Sequence, residues 1–308
     1  MLLRAASVVG VALLAASALP ARGSLIAYDS VDGTLGAING LNSGTGWGSN
    51  AWSAQNVAYY AVSNANPLVF TKNSQTLLST PDYLTGGGAY TSAGRSFYYG
   101  NWYGDPGAFP DAYYHYTYNS NNQITAKSLG GDGTTLYLSA LARPDSNPAN
   151  AGNTSYKFDL ANGNNVAWAA NAPNVYVERA ANGNWQIRYH PASGSDVTAG
   201  TGVAFVKDQT FLMVLQLDFA ATGDTATLYV DPTPGMSTPD VTGAAVAMTG
   251  FTFTNLNFNP GHAVGDGDLD ELRIGTTYAD VVPTAVPEPA ALSLLALGGV
   301  ALLGRRRR

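Results

Sequence analysis

The stretch "TFLMVLQLDFAATGDTATLYVDPTPG" constrains the fold more than any other part of the chain. Phe211, Met213, Leu215, Leu217 and Phe219 recur at period two, which places them on one face of a β-strand. Leu212 and Val214 make the opposite face apolar too, before it turns polar at Gln216 and Asp218, as a central sandwich strand would. The chain then turns around Thr222, Gly223 and Asp224 into a second alternating run. "NVYVERAANGNWQIRYH" has the same form, and its Asn182-Gly183 pair predicts a type I′ hairpin turn. "TTLYLSALARPD" predicts a strand ended by Pro144.

Helices are disfavoured on chemical grounds. Lysine and glutamate, the usual solvent-facing helix formers, together number seven in 308 residues. Glycine, threonine, valine, tyrosine, asparagine and serine fill the space, a composition suited to strands and turns. No helix-period run of useful length precedes Pro287, and no repeat of about 20–50 residues is visible, which argues against solenoids and propellers. The body therefore predicts an all-β, antiparallel two-sheet sandwich. With no cysteine, no disulfide framework is available. A body of roughly 260 residues can bury a substantial core without one.

The two ends differ from the body. "MLLRAASVVGVALLAASALPARGS" has an early cation at Arg4, an apolar stretch over residues 5–19, and small residues around Ala21. That is the pattern of a secretory signal peptide, here residues 1–23, with an N-terminal membrane anchor as the alternative. The other end, "VPEPAALSLLALGGVALLGRRRR", follows a proline-rich linker predicted over residues 281–289. Its apolar run, residues 290–303, would span about 21 Å as a helix, against a hydrocarbon core of about 30 Å. Pro289 and Glu288 suit the start of such a helix, and Arg305, Arg306, Arg307 and Arg308 suit its end. Four arginines resist translocation, so they stay cytoplasmic and the body lies outside. Val286, Pro287, Glu288 and Pro289, the short transmembrane stretch and the arginine cluster together resemble the PEP-CTERM sorting signal of exported bacterial proteins. The resemblance implies export, a transient inner-membrane anchor and processing by an exosortase-type membrane peptidase near Pro287-Glu288-Pro289. The protein would then reach the cell surface or the extracellular matrix.

Removing both ends takes away six of the 15 basic residues and Glu288, leaving a net charge of about −11. Such a body has no basic patch for phosphates, so nucleic acid is a poor partner.

"LIAYDSVDGTLGAINGLNSGTGWGSNAW", with Trp47 and Trp52, and the closing "GDLDELRIGTTYADVVP" resemble LamG-like, concanavalin A-type jelly rolls. The resemblance implies a jelly-roll β-sandwich for residues 24–283, between the signal helix and a sorting signal at residues 284–308. It says little about function, since that fold hosts lectins, hydrolases and adhesion modules.

Three chemistries bear on what such a body could do. Glycoside hydrolysis needs two facing carboxyl groups about 5–10 Å apart. The glutamates are only Glu178, Glu271 and Glu288, and none lies in an E-x-D-x-E pattern. Adjacent Asp270 and Glu271 should point to opposite faces of a strand. For nucleophilic catalysis, His115, His190 and His262 are isolated and no G-x-S-x-G elbow occurs. For metals, "HAVGDGDLDE" offers Asp266, Asp268 and Asp270 as ligands of a structural calcium. The alternative is a solvated turn leading into the last strand.

Residues 95–122 hold ten aromatics, among them Trp102, Tyr103, Tyr113 and Tyr114. Such rings can stack on sugars, or they can simply pack the core. In "DAYYHYTY" the set Tyr114, Tyr116 and Tyr118 shares one strand face, and Tyr113 and His115 take the other. The sequence thus predicts a non-catalytic exported protein of structural or adhesive type, with no cofactor beyond the calcium reading. The alternative is a glycan-binding module for an exopolysaccharide; a polysaccharide hydrolase is least supported.

Overall fold

The computed structural model describes residues 25–33, 35–47, 51–54, 60–87, 93–96, 111–121, 124–144, 157–161, 173–259 and 266–284. Among these, the first strands are β1 (Leu25–Asp29), β2 (Gly36–Ala37), β3 (Ser53–Ala54), β4 (Tyr60–Ser63), β5 (Thr71–Lys72) and β6 (Gln75–Thr76). Next come β7 (Tyr83–Gly87), β8 (Ala93–Ser96), β9 (Tyr114–Tyr118), β10 (Ile124–Leu129), β11 (Thr135–Pro144) and β12 (Lys157–Ala161). The hairpin pairs β13 (Asn174–Arg179) with β14 (Asn184–His190), and β15 (Val197–Ala204) follows. The chain then forms β16 (Phe211–Asp218), β17 (Asp224–Val230), β18 (Ala244–Met248), β19 (Asn255–Asn259) and β20 (Asp266–Gly275). A four-residue helix, α1 (Tyr278–Val281), closes the body.

The strands form an antiparallel jelly-roll sandwich. One sheet has nine strands, in the order β18-β17-β16-β11-β20-β7-β4-β2, with β1 also paired to β20. The other has seven, in the order β15-β14-β13-β12-β19-β8-β3. Non-consecutive neighbours such as β11 and β20 show the chain crossing repeatedly between the sheets. The core between them takes one parity from each strand. Met213, Leu215 and Leu217 face Val175, Val177, Trp185 and Ile187, and Trp185 packs 4.5 Å from Phe205 and 5.3 Å from Phe211 between ring centroids.

The amino-terminal "GTGW…W" stretch is an anchor. Gly44 and Gly46 adopt φ of 79° and 82° and lie against β1, where a Cβ would collide with the Tyr28 and Ile26 carbonyls. Thr45 and Tyr28 exchange backbone hydrogen bonds of 2.8 and 2.9 Å. Trp47 and Trp52 are then buried, donating from Nε1 to the Tyr28 carbonyl at 2.9 Å and to Asp29 Oδ2 at 2.8 Å.

Three local expectations need correction. The β13–β14 turn is not type I′, because only Gly183 has positive φ (86°). Gly183 donates to the Ala180 carbonyl at 3.0 Å, so a type I turn over Ala181-Asn182 is followed by a left-handed glycine, the three-residue form. The predicted linker is packed where it begins. Val281 and Val282 are fully buried against the nine-stranded sheet, Thr284 bridges to Leu77, and the Pro283 carbonyl accepts from the Leu78 amide. Lastly, β20 does not alternate through Asp270 and Glu271. A bulge with Glu271 at φ 55° interrupts the β11 register, and both carboxylates are buried.

Candidate functional site

The described part of the aromatic stretch, residues 111–121, packs against the main core through Tyr113, Tyr114 and Tyr116. β9 pairs with β10, and the hairpin is tied to the body where Leu129 and Phe253 exchange backbone hydrogen bonds of 2.8 and 3.0 Å. The Tyr113 carbonyl also accepts from the Gly130 and Gly131 amides at 3.0 Å each. Alternation along β9 decides which side chains face inward. Tyr114 is buried, with Tyr116 half-buried beside it, their rings 6.1 Å apart against the main core. His115 and Thr117 are exposed on the other face.

That face lines a cavity of about 680 Å³, within the range of small-ligand sites. His115, Thr117 and Ser128 of the hairpin form one wall. The β16–β17 turn supplies Thr222, and the crossover from β18 to β19 supplies Thr249, Phe251 and Thr252. Asp132 adds a carboxylate at the exposed rim. Asp224 holds the walls in register: Oδ1 accepts from the Ala220 amide at 2.9 Å and Oδ2 from the Phe251 amide at 2.8 Å. Beneath, Phe251, Phe253 and Phe219 stack with centroids 5.8 and 6.5 Å apart. The result is a hydroxyl-rich surface over an aromatic base, with one carboxylate and one imidazole at its edge.

A second polar region covers the outer face of the seven-stranded sheet. The strand positions that do not enter the core carry Asp159, Tyr176, Glu178, Gln186, Arg188 and Asn257. Asn257 Nδ2 donates to Asp159 Oδ1 at 2.7 Å, and Gln186 Nε2 to Glu178 Oε1 at 2.7 Å. Arg188 pairs with Glu178 and donates to Asp196 Oδ2 at 3.1 Å. Burial, then the nearby Asp159 carboxylate, pushes the Tyr176 phenol up from its ordinary range.

The predicted site residues separate. Trp102 and Tyr103 lie outside the described residues, as do Val286, Pro287, Glu288, Pro289 and Arg305 to Arg308. Tyr113 is half-buried against the core. Tyr114, predicted as a glycan contact, is instead a core residue, because its face of β9 packs against the main core. The calcium reading does not assemble either. Asp268 is buried and pairs with Arg143, which donates from Nε at 2.8 Å and stacks 5.2 Å over Tyr83. Asp270 is fully buried, and its Oδ1 accepts from the Glu271 amide at 2.7 Å. Burial, with repulsion from Glu271, Asp32 and Asp29, raises its carboxyl well above the usual range. The Asp266 side chain is outside the described residues. Among the described residues, no group of three or more His, Cys, Asp or Glu side chains is placed to hold a metal ion.

The sequence reading passed over Asp132, Asp159, Arg188 and Asn257. For Arg188 a signal existed: in "NVYVERAANGNWQIRYH" it shares a parity with Tyr176, Glu178 and Gln186, opposite Val177 and Ile187. Asp132 and Asn257 carry no such signal, because the cavity that Asp132 lines and the Asp159 that Asn257 meets are assembled from distant segments.

Outside this fold, the tail matches a known family over residues 285–308. It is a PEP-CTERM protein-sorting motif. The motif implies export, with a C-terminal membrane anchor before processing by an exosortase-type system. Among the described residues no helix is long and apolar enough to cross a membrane. No curated protein matches the chain. Solved structures similar to it include the VIP36 exoplasmic/lumenal domain, in a Ca2+/Man3GlcNAc-bound form, at 7% identity over 73% of this chain and 83% of that one, TM-score 0.36. Another is an endo-1,3-beta-glucanase from Streptomyces sioyaensis, at 12% identity over 84% and 98%, TM-score 0.39. Lectin II from Ulex europaeus matches at 9% identity over 70% and 97%, TM-score 0.36. At such low scores, the sandwich assignment rests on the strand order itself.

Proposed function

We propose that this chain is a non-catalytic protein of the cell surface or extracellular matrix, structural or adhesive in role. The sorting motif at residues 285–308 carries the reading. A short apolar run followed by four arginines is held at the inner membrane until an exosortase-type peptidase cuts near Pro287-Glu288-Pro289. Recovering the exported product and measuring its mass tests this. The mass should exclude Arg305 to Arg308, and alanines at Pro287, Glu288 and Pro289 should leave the tail attached and the protein in the membrane. Full-length protein in the cytosol contradicts the reading.

Among the described residues, the carboxylates of the cavity and of the polar sheet face are mostly engaged by other groups. Glycoside hydrolysis requires two cooperating carboxyl groups about 5–10 Å apart. Of the two lining the cavity, Asp224 is committed to two backbone amides, which leaves Asp132. On the polar sheet face Glu178 is engaged by Arg188 and Gln186, and Asp159 by Asn257.

The cavity favours a second reading, a glycan-binding module for an exopolysaccharide. Threonine and serine hydroxyls, His115 and Asp132 offer donors and acceptors to a neutral polyol. Trp102 and Tyr103 remain candidates for the same ligand. Saturable binding of polysaccharide to the exported protein, with no release of reducing ends, is the expected result.

A further inference from the structure

The chain leaves the folded body at one fixed place. Val281 and Val282 are fully buried, the Val282 carbonyl accepts from the Gly235 amide at 2.6 Å, and the Pro283 carbonyl accepts from the Leu78 amide at 3.1 Å. Thr284 then bridges to Leu77 and lies so close to Gly235 that a Cβ there would strike its side chain. Two segments, residues 77–82 and 235–240, thus bracket the exit.

Those segments carry nearly the same pentapeptide, "LSTPD" at residues 78–82 and "MSTPD" at residues 236–240. Each opens with a large apolar side chain left in solvent, Leu78 at 48% and Met236 at 43% exposure. Serine, threonine and proline follow without charge. The closing aspartates are engaged by the body, Asp82 by the Gly33 amide and Asp240 by Thr233 and Lys72.

What this rim faces follows from the length of chain beyond it. Six residue steps separate Thr284 from Ala290, where the apolar run begins, and fully extended they reach about 20 Å. The headgroup layer takes up about 5–7 Å of that reach. The 14-residue run, about 21 Å as a helix, falls about 9 Å short of the hydrocarbon core. Arg305 to Arg308 hold its inner end, so the shortfall either draws the outer end inward or thins the bilayer. A body of this size is about 40–50 Å across, so a tether this short keeps the face around Thr284 turned to the lipid.

We infer that the rim around Thr284, with Leu78 and Met236 at its two sides, is a membrane-docking surface that rests on the inner membrane while the tail is uncut. The inference builds on the sorting reading and adds to it the face and the partner. Leucine and methionine side chains suit the boundary between headgroups and acyl chains. Elsewhere the mature body, at a net charge of about −11, is repelled by anionic headgroups. A membrane peptidase meets the tail only at the moment of cutting, whereas the tether acts throughout, which favours lipid as the occupant.

The chain has no cysteine, so a single introduced one reports on its own position alone. Leu78→Cys, Met236→Cys and, as reference, Asn182→Cys in the β13–β14 turn of the other sheet are all at exposed positions. Each takes a fluorophore in the uncut, full-length chain, inserted in phosphatidylcholine vesicles whose headgroups carry a nitroxide quencher. The probes at residues 78 and 236 should lose most of their emission, and the probe at residue 182 should keep it. On the unmodified chain, amides 236–238 should exchange more slowly in vesicles than in the exported, cut protein. Chain that floats with the vesicles but is quenched equally at all three positions, or at none, leaves the tail reading intact and overturns the docking surface. Quenching that needs an added membrane peptidase overturns lipid as the partner. Chain that does not float with the vesicles refutes the anchor, and the inference with it.

Discussion

The nine-stranded sheet hides its outer face beneath its own chain, whereas the seven-stranded sheet lines its outer face with hydrogen-bonding side chains. On the first, Leu141, Leu212 and Val214 meet Leu68, Phe70 and Leu77 from the segment before β7, and Tyr278, Val281 and Val282 from the carboxyl end of the body. Two buried Arg–carboxylate pairs, Arg143–Asp268 and Arg273–Glu271, finish the seal, with Arg273 4.4 Å over the Tyr28 ring. On the second, Asp159, Asn257, Glu178, Gln186 and Arg188 form a network on the positions where the first sheet has leucine and valine. The contrast shows how one sandwich separates two tasks. One outer face adds a second dry core, while the other holds a network of polar and charged side chains, a costly arrangement to disturb.

The largest expected effect lies on the sealed face. Arg143→Ala leaves Asp268 charged and buried, and should cost about 3–5 kcal/mol in urea denaturation. Replacing both partners, Arg143→Met with Asp268→Leu, should restore most of that loss. If the single variant is as stable as the wild type, the seal is not structural.

On the polar face, Asn257→Ala removes one partner of a buried carboxylate and should cost about 1–3 kcal/mol. A cost as large as that of Arg143→Ala would erase the distinction between the two faces.

A smaller effect sharpens the description of the sealed sheet. Asp231, immediately after β17 and with φ 54°, is pushed up to about 6 by burial, although its Oδ1 accepts from the Leu212 amide at 3.0 Å. Its folded value exceeds the unfolded one, near ~3.9. Protonation therefore favours the fold at low pH, and that contribution is lost as pH rises through about 6. Asp231→Asn keeps the acceptor and tolerates the left-handed backbone. Its melting temperature should exceed the wild type's above pH 6 and converge with it near pH 4. An advantage independent of pH would contradict the assignment.

Strand parity made the sandwich legible, down to Leu212 and Val214 forming a second apolar face on β16. It could not decide which face of an amphipathic strand meets the core. On β9 both faces carry aromatics or polar groups of similar size, and long-range ties such as that between Leu129 and Phe253 accompany the placing of Tyr114 inward and His115 outward. Asp268 looked like a metal ligand because its partner, Arg143, is 125 residues away in sequence. Val281 and Val282 read as linker because proline spacing marks where chain regularity ends, not where burial ends. The sorting motif was fully legible, since its parts are contiguous.

The glycan-binding reading proposed above places recognition in the cavity that the β9–β10 hairpin lines. Titrating the exported protein with its host's exopolysaccharide, alongside His115→Ala and Asp132→Asn, tests that assignment most directly. Both side chains are exposed, so the melting temperature should stay within error of the wild type while saturable binding falls at least tenfold in each variant. Undiminished binding by both variants would contradict it.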